Sequence, residues 1–201
     1  MEKSSAPICA AILAGGKSLR FGSDKALMSL RGEFALSRLI ATLEQLFQPV
    51  FIVADQPEKI PPSSTTIVQD VIPDCGPLGG ILTALQYSPT PRCFIAACDM
   101  PILDLDILRF LAVEWGTEDI LIPKVDGEEQ PLAAFYRNSC LPVVRDCLRQ
   151  SKLSLRCLWD YVQVRYCDLN AHFHKEKLAR CFANINTLTQ LEHWQNRIGG
   201  F

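Results

Sequence analysis

Several common features are missing from this 201-residue chain, and each absence removes a class of function. There are nine cysteines, an odd number, and none of them form a C-x-x-C pair. A zinc cage of paired thiols is thereby excluded, and the scattered thiols are expected to be reduced, serving as small apolar fillers in a cytosolic protein. No apolar run approaches the ~20 residues that span a bilayer, so no membrane partner is expected. The formal net charge is only −2, which leaves no general field to gather nucleic acid or anionic lipid. Phosphate binding, if present, must be local. Histidines number three, and His172 and His174 sit on a stretch rich in Asn and Lys without a partner at metal spacing, so they read as solvated or capping. Two common phosphate loops are missing as well. A Walker loop ending at Gly16-Lys17-Ser18 needs a glycine at position 11, where Ala11 stands, and no G-x-G-x-x-G occurs.

What is present centres on residues 8–27, ICAAILAGGKSLRFGSDKAL. Ile8 to Leu13 is apolar without alternation, as in a parallel strand covered on both faces. Gly15 and Gly16 end it, and residues without Cβ allow backbone N–H groups to approach a phosphate closely. Lys17, Arg20 and Lys25 follow within ten residues, so the loop can surround a triphosphate with dipoles, a guanidinium fork and ammonium charges. Lys3 before the apolar run imitates a signal peptide, but cleavage there would remove the strand that precedes the glycines.

The rest of the chain reads as alternating helices and strands. Residues 34–47 carry Leu36, Leu39, Ile40, Leu43, Leu46 and Phe47 at helical spacing, and 50–54 (VFIVA) is a strand, giving a βαβ unit with a parallel sheet. The carboxyl ends of such strands form the ligand-binding mouth. A short strand at 66–69 runs into Asp70, an acid that taken alone reads as a turn or cap residue. Gly76-Pro77-Leu78-Gly79-Gly80-Ile81 reads as a glycine turn before a helix to Tyr87. Strand 93–97 ends at Cys98-Asp99-Met100-Pro101, which places Asp99 on the mouth, where one carboxylate suits Mg²⁺. Cys98 has no histidine nearby in sequence and reads as a filler. Asp104 and Asp106 precede a stripe of Ile107, Leu108, Leu111 and Ala112, so they are expected in the first turn of a helix. Strands are expected at 119–123 and from 130, joined as a hairpin, with a helix over 140–148 capped by Asn138 or Ser139. A further helix is expected at 153–162, an edge strand at 164–167, and a terminal helix with Thr187 and Gln190 at capping-box spacing.

The segment Leu13, Ala14, Gly15, Gly16, Ser18, Arg20, Gly22, Asp24, Lys25 closely resembles the signature of the molybdenum cofactor guanylyltransferases. GPLGGI, CDMP, QPLAAFYR and N-I-N-T at 184–187 resemble further elements of that family in the same order. The resemblance implies a single domain over 1–201, a Rossmann-like three-layer α/β/α sandwich with a mostly parallel sheet, as in nucleotide-diphospho-sugar transferases. It implies transfer of GMP from GTP to the phosphate of molybdopterin with release of pyrophosphate. Leu13, Ala14, Gly15, Gly16, Lys25, Asp70, Gly79 and Asp99 would then hold the nucleotide, Asp99 the Mg²⁺, and Asn184 and Asn186 the acceptor. Arg20, Lys25 and Asp99 would carry catalysis.

The implied partners are GTP, molybdopterin, and molybdoenzymes or other cofactor-synthesis proteins, for a cytoplasmic chain expected to be a monomer. Two departures stand out. Ala54-Asp55 replaces an asparagine common after the second strand, and Leu188-Thr189-Gln190-Leu191 replaces Pro-Glu-Asp-Leu. Cytidylyl transfer to the same pterin, sugar-nucleotide synthesis, and a nucleotide-binding delivery protein without turnover remain the alternatives.

Overall fold

A computed structural model describes residues 7–14, 29–30, 33–60 and 63–184. In chain order the elements are β1 (Ile8–Leu13), a small pair β2 (Ser29–Leu30) and β3 (Glu33–Phe34), α1 (Ala35–Leu43), β4 (Val50–Ala54), β5 (Thr66–Gln69), α2 (Gly76–Tyr87), β6 (Arg92–Ala97), α3 (Leu105–Glu114), β7 (Ile120–Val125), β8 (Glu128–Glu129), β9 (Ala133–Arg137), α4 (Leu141–Arg149), β10 (Val164–Asp168) and α5 (Lys175–Cys181).

The main sheet has the order β10-β7-β9-β6-β1-β4-β5, with β8 paired to β7. β1 pairs in parallel with β4 and β6, and β4 with β5. β9 runs antiparallel to both β6 and β7, while β10 is parallel to β7. Consequently β1, β4, β5, β6, β7 and β10 all point the same way, and their carboxyl ends form one rim.

Successive residues of β1 serve opposite layers because strand side chains alternate. Ala10 and Ile12 pack with Leu36, Leu39 and Leu43 of α1, Ile107 and Leu111 of α3 and Leu178 of α5. Cys9 and Ala11 face the other way, onto Leu78, Ile81 and Leu85 of α2 and Val144 of α4. This is the expected three-layer sandwich. Residues such as Ile12, Leu39 and Ile81 are fully buried, each contributing about 1.5–3 kcal/mol by leaving water. The connection through α1 leads from β1 to β4, and the connection through α2 leads from β5 back across to β6. The order therefore reverses at β1, and the mouth beside its last residue is the topological switch point.

Three local expectations are corrected. Gly79 and Gly80 lie inside α2, which begins at Gly76, so they belong to the helix and not to a turn before it. α4 starts at Leu141, behind Cys140 and without a side-chain cap, because Asn138 donates to the Thr90 carbonyl and Ser139 to Asp119. Residues 153–162 hold only a short 3₁₀ turn at Leu155–Leu158, since Leu153 and Tyr161 are exposed and offer no continuous buried face. α5 was not expected from the sequence. Asp104 does cap α3, accepting from the backbone N–H groups of Asp106 at 3.0 Å and Ile107 at 3.2 Å, and Lys177 of α5 clamps both acids. The His172 ring packs at a tilt against Phe110, with centroids 4.5 Å apart, and His174 is the residue before α5. All nine cysteines are free thiols, with Cys9, Cys93, Cys140, Cys147, Cys167 and Cys181 buried as fillers.

Candidate active site

The last residues of β1 define the middle of the rim. Ala14 is buried and donates its N–H to the Val53 carbonyl at 2.8 Å, continuing the β1–β4 ladder one step past the strand. On the other side the Leu13 carbonyl accepts the N–H of Cys98 at 3.1 Å. β6 has ended one residue earlier, at Ala97, whose N–H donates to Leu132 at 2.8 Å and whose carbonyl accepts from Met100 at 3.2 Å, closing a turn over Cys98 and Asp99. Leu13, Ala14 and Asp99 are thus brought together by main-chain bonds. Asp99 is half-buried, with Oδ1 inside the protein surface.

Asp70 stands on the β4–β5 side of the same rim. Its N–H donates to the Ala54 carbonyl at 2.9 Å, and its Oδ1 accepts the hydroxyl of Thr83 at 2.5 Å. Thr83 Oγ1 in turn accepts the N–H of Val71 at 3.0 Å. Burial raises the Asp70 carboxyl above its ordinary range; the Thr83 hydroxyl opposes this, and the neighbouring Asp55 charge adds to it. Thr83 is fully buried in the middle of an apolar helix and went unnoticed as a site residue. Its signal in the sequence is that it is the one hydroxyl in GPLGGILTALQY facing a strand-end acid.

The helix glycines explain why α2 can press against this rim. A Cβ on Gly80 would lie 3.2 Å from Leu13 Cδ2, and one on Gly79 would lie 2.8 Å from Cys75 Cβ, 3.1 Å from the Ile72 carbonyl and 3.6 Å from Asp70 Oδ2. These small residues set the approach of α2 to β1 and to the Asp70 turn. Gly79 therefore sits against the Asp70 carboxylate.

At the far end of the rim the turn after β7 is tied to the turn after β10. Asn170 Nδ2 donates to Asp126 Oδ1 at 2.9 Å and the Asp126 N–H donates back to Asn170 Oδ1 at 2.8 Å. Asn184 is exposed beyond α5, and no hydrogen bond or ion pair joins its side chain to the rim among the described residues. Gly15, Gly16, Arg20, Lys25 and Asn186, which the sequence also singled out, lie outside the described residues. No group of three metal-ligating side chains occurs among the described residues. No helix among them is long and apolar enough to cross a membrane.

Residues 10–164 match the model of the MobA-like NTP transferase domain. The chain belongs to that family. Its domain therefore makes it a nucleotidyltransferase, and the three-layer fold is shared with solved relatives. A protein of Clostridium perfringens named probable molybdenum cofactor guanylyltransferase is 33% identical over 187 residues, covering 91% of this chain and 93% of its own. The molybdenum cofactor guanylyltransferase of Syntrophotalea carbinolica is 30% identical over 190 residues, covering 94% and 90%. Among solved structures, molybdopterin-guanine dinucleotide biosynthesis protein A of Archaeoglobus fulgidus superposes with a TM-score of 0.78 at 26% identity, covering 94% of this chain and 97% of its own. A 2-C-methyl-D-erythritol 4-phosphate cytidylyltransferase of Thermus thermophilus, 11% identical with a TM-score of 0.67, covers 93% of this chain and 96% of its own and shares the fold alone.

Proposed function

We propose that the chain transfers GMP from GTP to the phosphate of molybdopterin, forming the guanine dinucleotide of the cofactor and releasing pyrophosphate. The observation that carries this reading is the Leu13–Cys98 bond, which sets the end of β1, two residues before Gly15, beside the Asp99 turn in a chain of this family. An oxygen of the acceptor phosphate attacks the α-phosphorus of GTP in line. The bond from the α-phosphorus to the bridging oxygen breaks, and the electron pair leaves with pyrophosphate. The acceptor phosphate is already anionic at neutral pH, so no side chain has to remove a proton. Catalysis rests on positioning and on neutralising charge.

The described rim is acidic, with Asp55, Asp70 and Asp99 at the ends of β4, β5 and β6. It would repel a triphosphate by itself, so the cations that the sequence places at Arg20 and Lys25 are needed, with Gly15 and Gly16 N–H groups lining the cradle. Leu13 and Ala14 would back the nucleotide. The donor set also suits Mg²⁺, which takes one or two protein carboxylates and completes its octahedron with waters and phosphate oxygens. Asp99 would hold that ion, whose charge would offset the charge moving onto pyrophosphate.

With the phosphates at Asp99, the nucleoside would extend towards β4 and β5, where Gly79 would close the wall and the carboxylates of Asp70 and Asp55 would be within the base's reach. Adjacent carboxylates accept hydrogen bonds, and guanine offers neighbouring N1–H and N2–H donors on one edge, whereas cytosine offers only its amino group. The acceptor then occupies the β9 side, with Asn184 and Asn186 contributing amides. The chain is read as a single-domain monomer of the cytosol that hands its product to molybdoenzymes.

Pyrophosphate release with purified protein, Mg²⁺ and molybdopterin tests the assignment. GTP is expected to support release and CTP to fall well below it. Preference for CTP would make the enzyme a cytidylyltransferase, release with a sugar 1-phosphate as acceptor would make it a sugar-nucleotide enzyme, and GTP binding without release would make it a delivery protein.

A further inference from the structure

The amino end of β6, at the opposite end of the strand from Asp99, carries a pair of guanidinium groups with no carboxylate partner among the described residues. Arg92 and Arg137 are directly opposite residues in the antiparallel β6–β9 ladder, so their side chains leave the sheet on the same face. Like charges in that relation destabilise a sheet unless something compensates them. Arg92 is 94% buried on the residue scale (6% exposed), and its Nε lacks a hydrogen-bond partner. Arg137 spends Nε on the Glu118 carbonyl at 2.8 Å and Nη2 on the Gly116 carbonyl at 2.5 Å. Both acceptors are neutral. Among the described residues no carboxylate forms an ion pair with either arginine.

What the two cations share is Trp115. The Cζ of Arg92 lies 4.4 Å and that of Arg137 4.9 Å from its ring centroid. The ring is held in turn by Phe135 at 5.1 Å and by its indole N–H, which donates to the Glu118 carbonyl at 3.1 Å. A cation–π contact supplies no opposite charge, so it offsets only part of the cost of burying Arg92 beside a like charge. Burial, and after it the charge of Arg137, lowers the proton affinity of Arg92. A tetrahedral oxyanion is the species that answers every term at once. It brings negative charge and accepts the guanidinium N–H groups that the carbonyls leave over, and the exposure of Arg137 and Gly116 marks the side from which it would enter.

We infer that Arg92, Arg137 and the face of Trp115 form a second, non-catalytic binding site for a small phosphate-class anion, about 20 Å along β6 from Asp99.

The probe is inorganic phosphate, titrated into the full chain, with sodium chloride at matched ionic strength as control. The readout is the indole ¹H–¹⁵N resonance of Trp115, assigned among the three tryptophans by its loss in Trp115→Phe. A saturable shift with phosphate, absent with chloride and weakened at least tenfold in Arg137→Lys, is expected; Arg92→Met, which keeps the stem but removes the charge, is expected to abolish it. No shift in the wild type, a shift that tracks ionic strength, or an undiminished shift in both variants would overturn the site. Should either variant fail to fold, the other and the chloride control still decide the question.

Discussion

The Leu13 carbonyl accepts the backbone N–H of Cys98 at 3.1 Å, joining the ends of β1 and β6 by a bond that no side-chain substitution removes. Asp99 is therefore placed by backbone geometry, and its carboxylate can be altered without disturbing the element that positions it. Asp99→Asn is expected to keep the melting temperature near that of the wild type while lowering kcat about 10²-fold or more, the scale of losing one charge-stabilising group. Steady-state pyrophosphate release alongside thermal unfolding checks this, and near-normal turnover would remove Asp99 from the mechanism.

Thr83 acts through Asp70. Thr83→Val removes the donor to Asp70 Oδ1 and the acceptor for the Val71 N–H, leaving two partly buried groups short of a partner. The expected destabilisation is about 1–3 kcal/mol. With the opposing hydroxyl gone, the Asp70 carboxyl should rise further, so the acid limb of the GTP-binding profile should move to higher pH. Thr83→Ser should restore the limb. Affinity for GTP measured across pH separates this from a purely structural loss.

Asp70 itself has a pH signature. Its folded-state value lies above the ordinary 3.8, because burial and Asp55 disfavour the charge. The native state then holds the proton more tightly than the unfolded chain, so stability falls as pH rises from about 3.8 through the raised value. Asp70→Asn removes that slope. Denaturant unfolding over this window should show a flatter profile for the variant, which should also bind GTP more weakly at neutral pH.

Gly79 and Gly80 differ in what a methyl would meet. At Gly80 it presses on the flexible Leu13 side chain at 3.2 Å, whereas at Gly79 it meets Cys75 Cβ at 2.8 Å and a carbonyl at 3.1 Å. Gly79→Ala is therefore expected to cost more, about 1–3 kcal/mol, and to shift the Asp70 turn. Thermal unfolding and GTP affinity of the two variants should rank Gly79→Ala below Gly80→Ala in both.

The sheet was legible wherever burial on both faces leaves an uninterrupted apolar run, as at 8–13, 50–54 and 93–97, and α1 wherever one face is buried, as in Leu36, Leu39, Ile40 and Leu43. Asp99 could be located because it closely follows such a run, and Asp70 because it directly follows the short strand 66–69. α5 escaped because Leu178 and Cys181 are the only buried residues in seven, too few for a stripe. α2 was placed too late because Gly79 and Gly80 look like loop residues, although they serve close packing inside a helix. Thr83 and Arg92 escaped for one shared reason. A lone polar residue in an apolar run reads as a defect until the neighbour it faces is known, and that neighbour lies across the sheet or the turn in three dimensions.

The central claim is that the nucleotide's phosphates and a divalent ion meet at Asp99, beside the end of β1. A crystal structure of the protein with GTP and Mg²⁺, grown without acceptor, tests it most directly. The account predicts an Asp99 oxygen at about 2.0–2.1 Å from the ion, with the β- and γ-phosphates against Gly15, Gly16 and Lys25 and the guanine towards Asp70. Nucleotide bound with Lys25 and Asp99 on opposite sides of the molecule, or a metal that Asp99 does not touch, would contradict it.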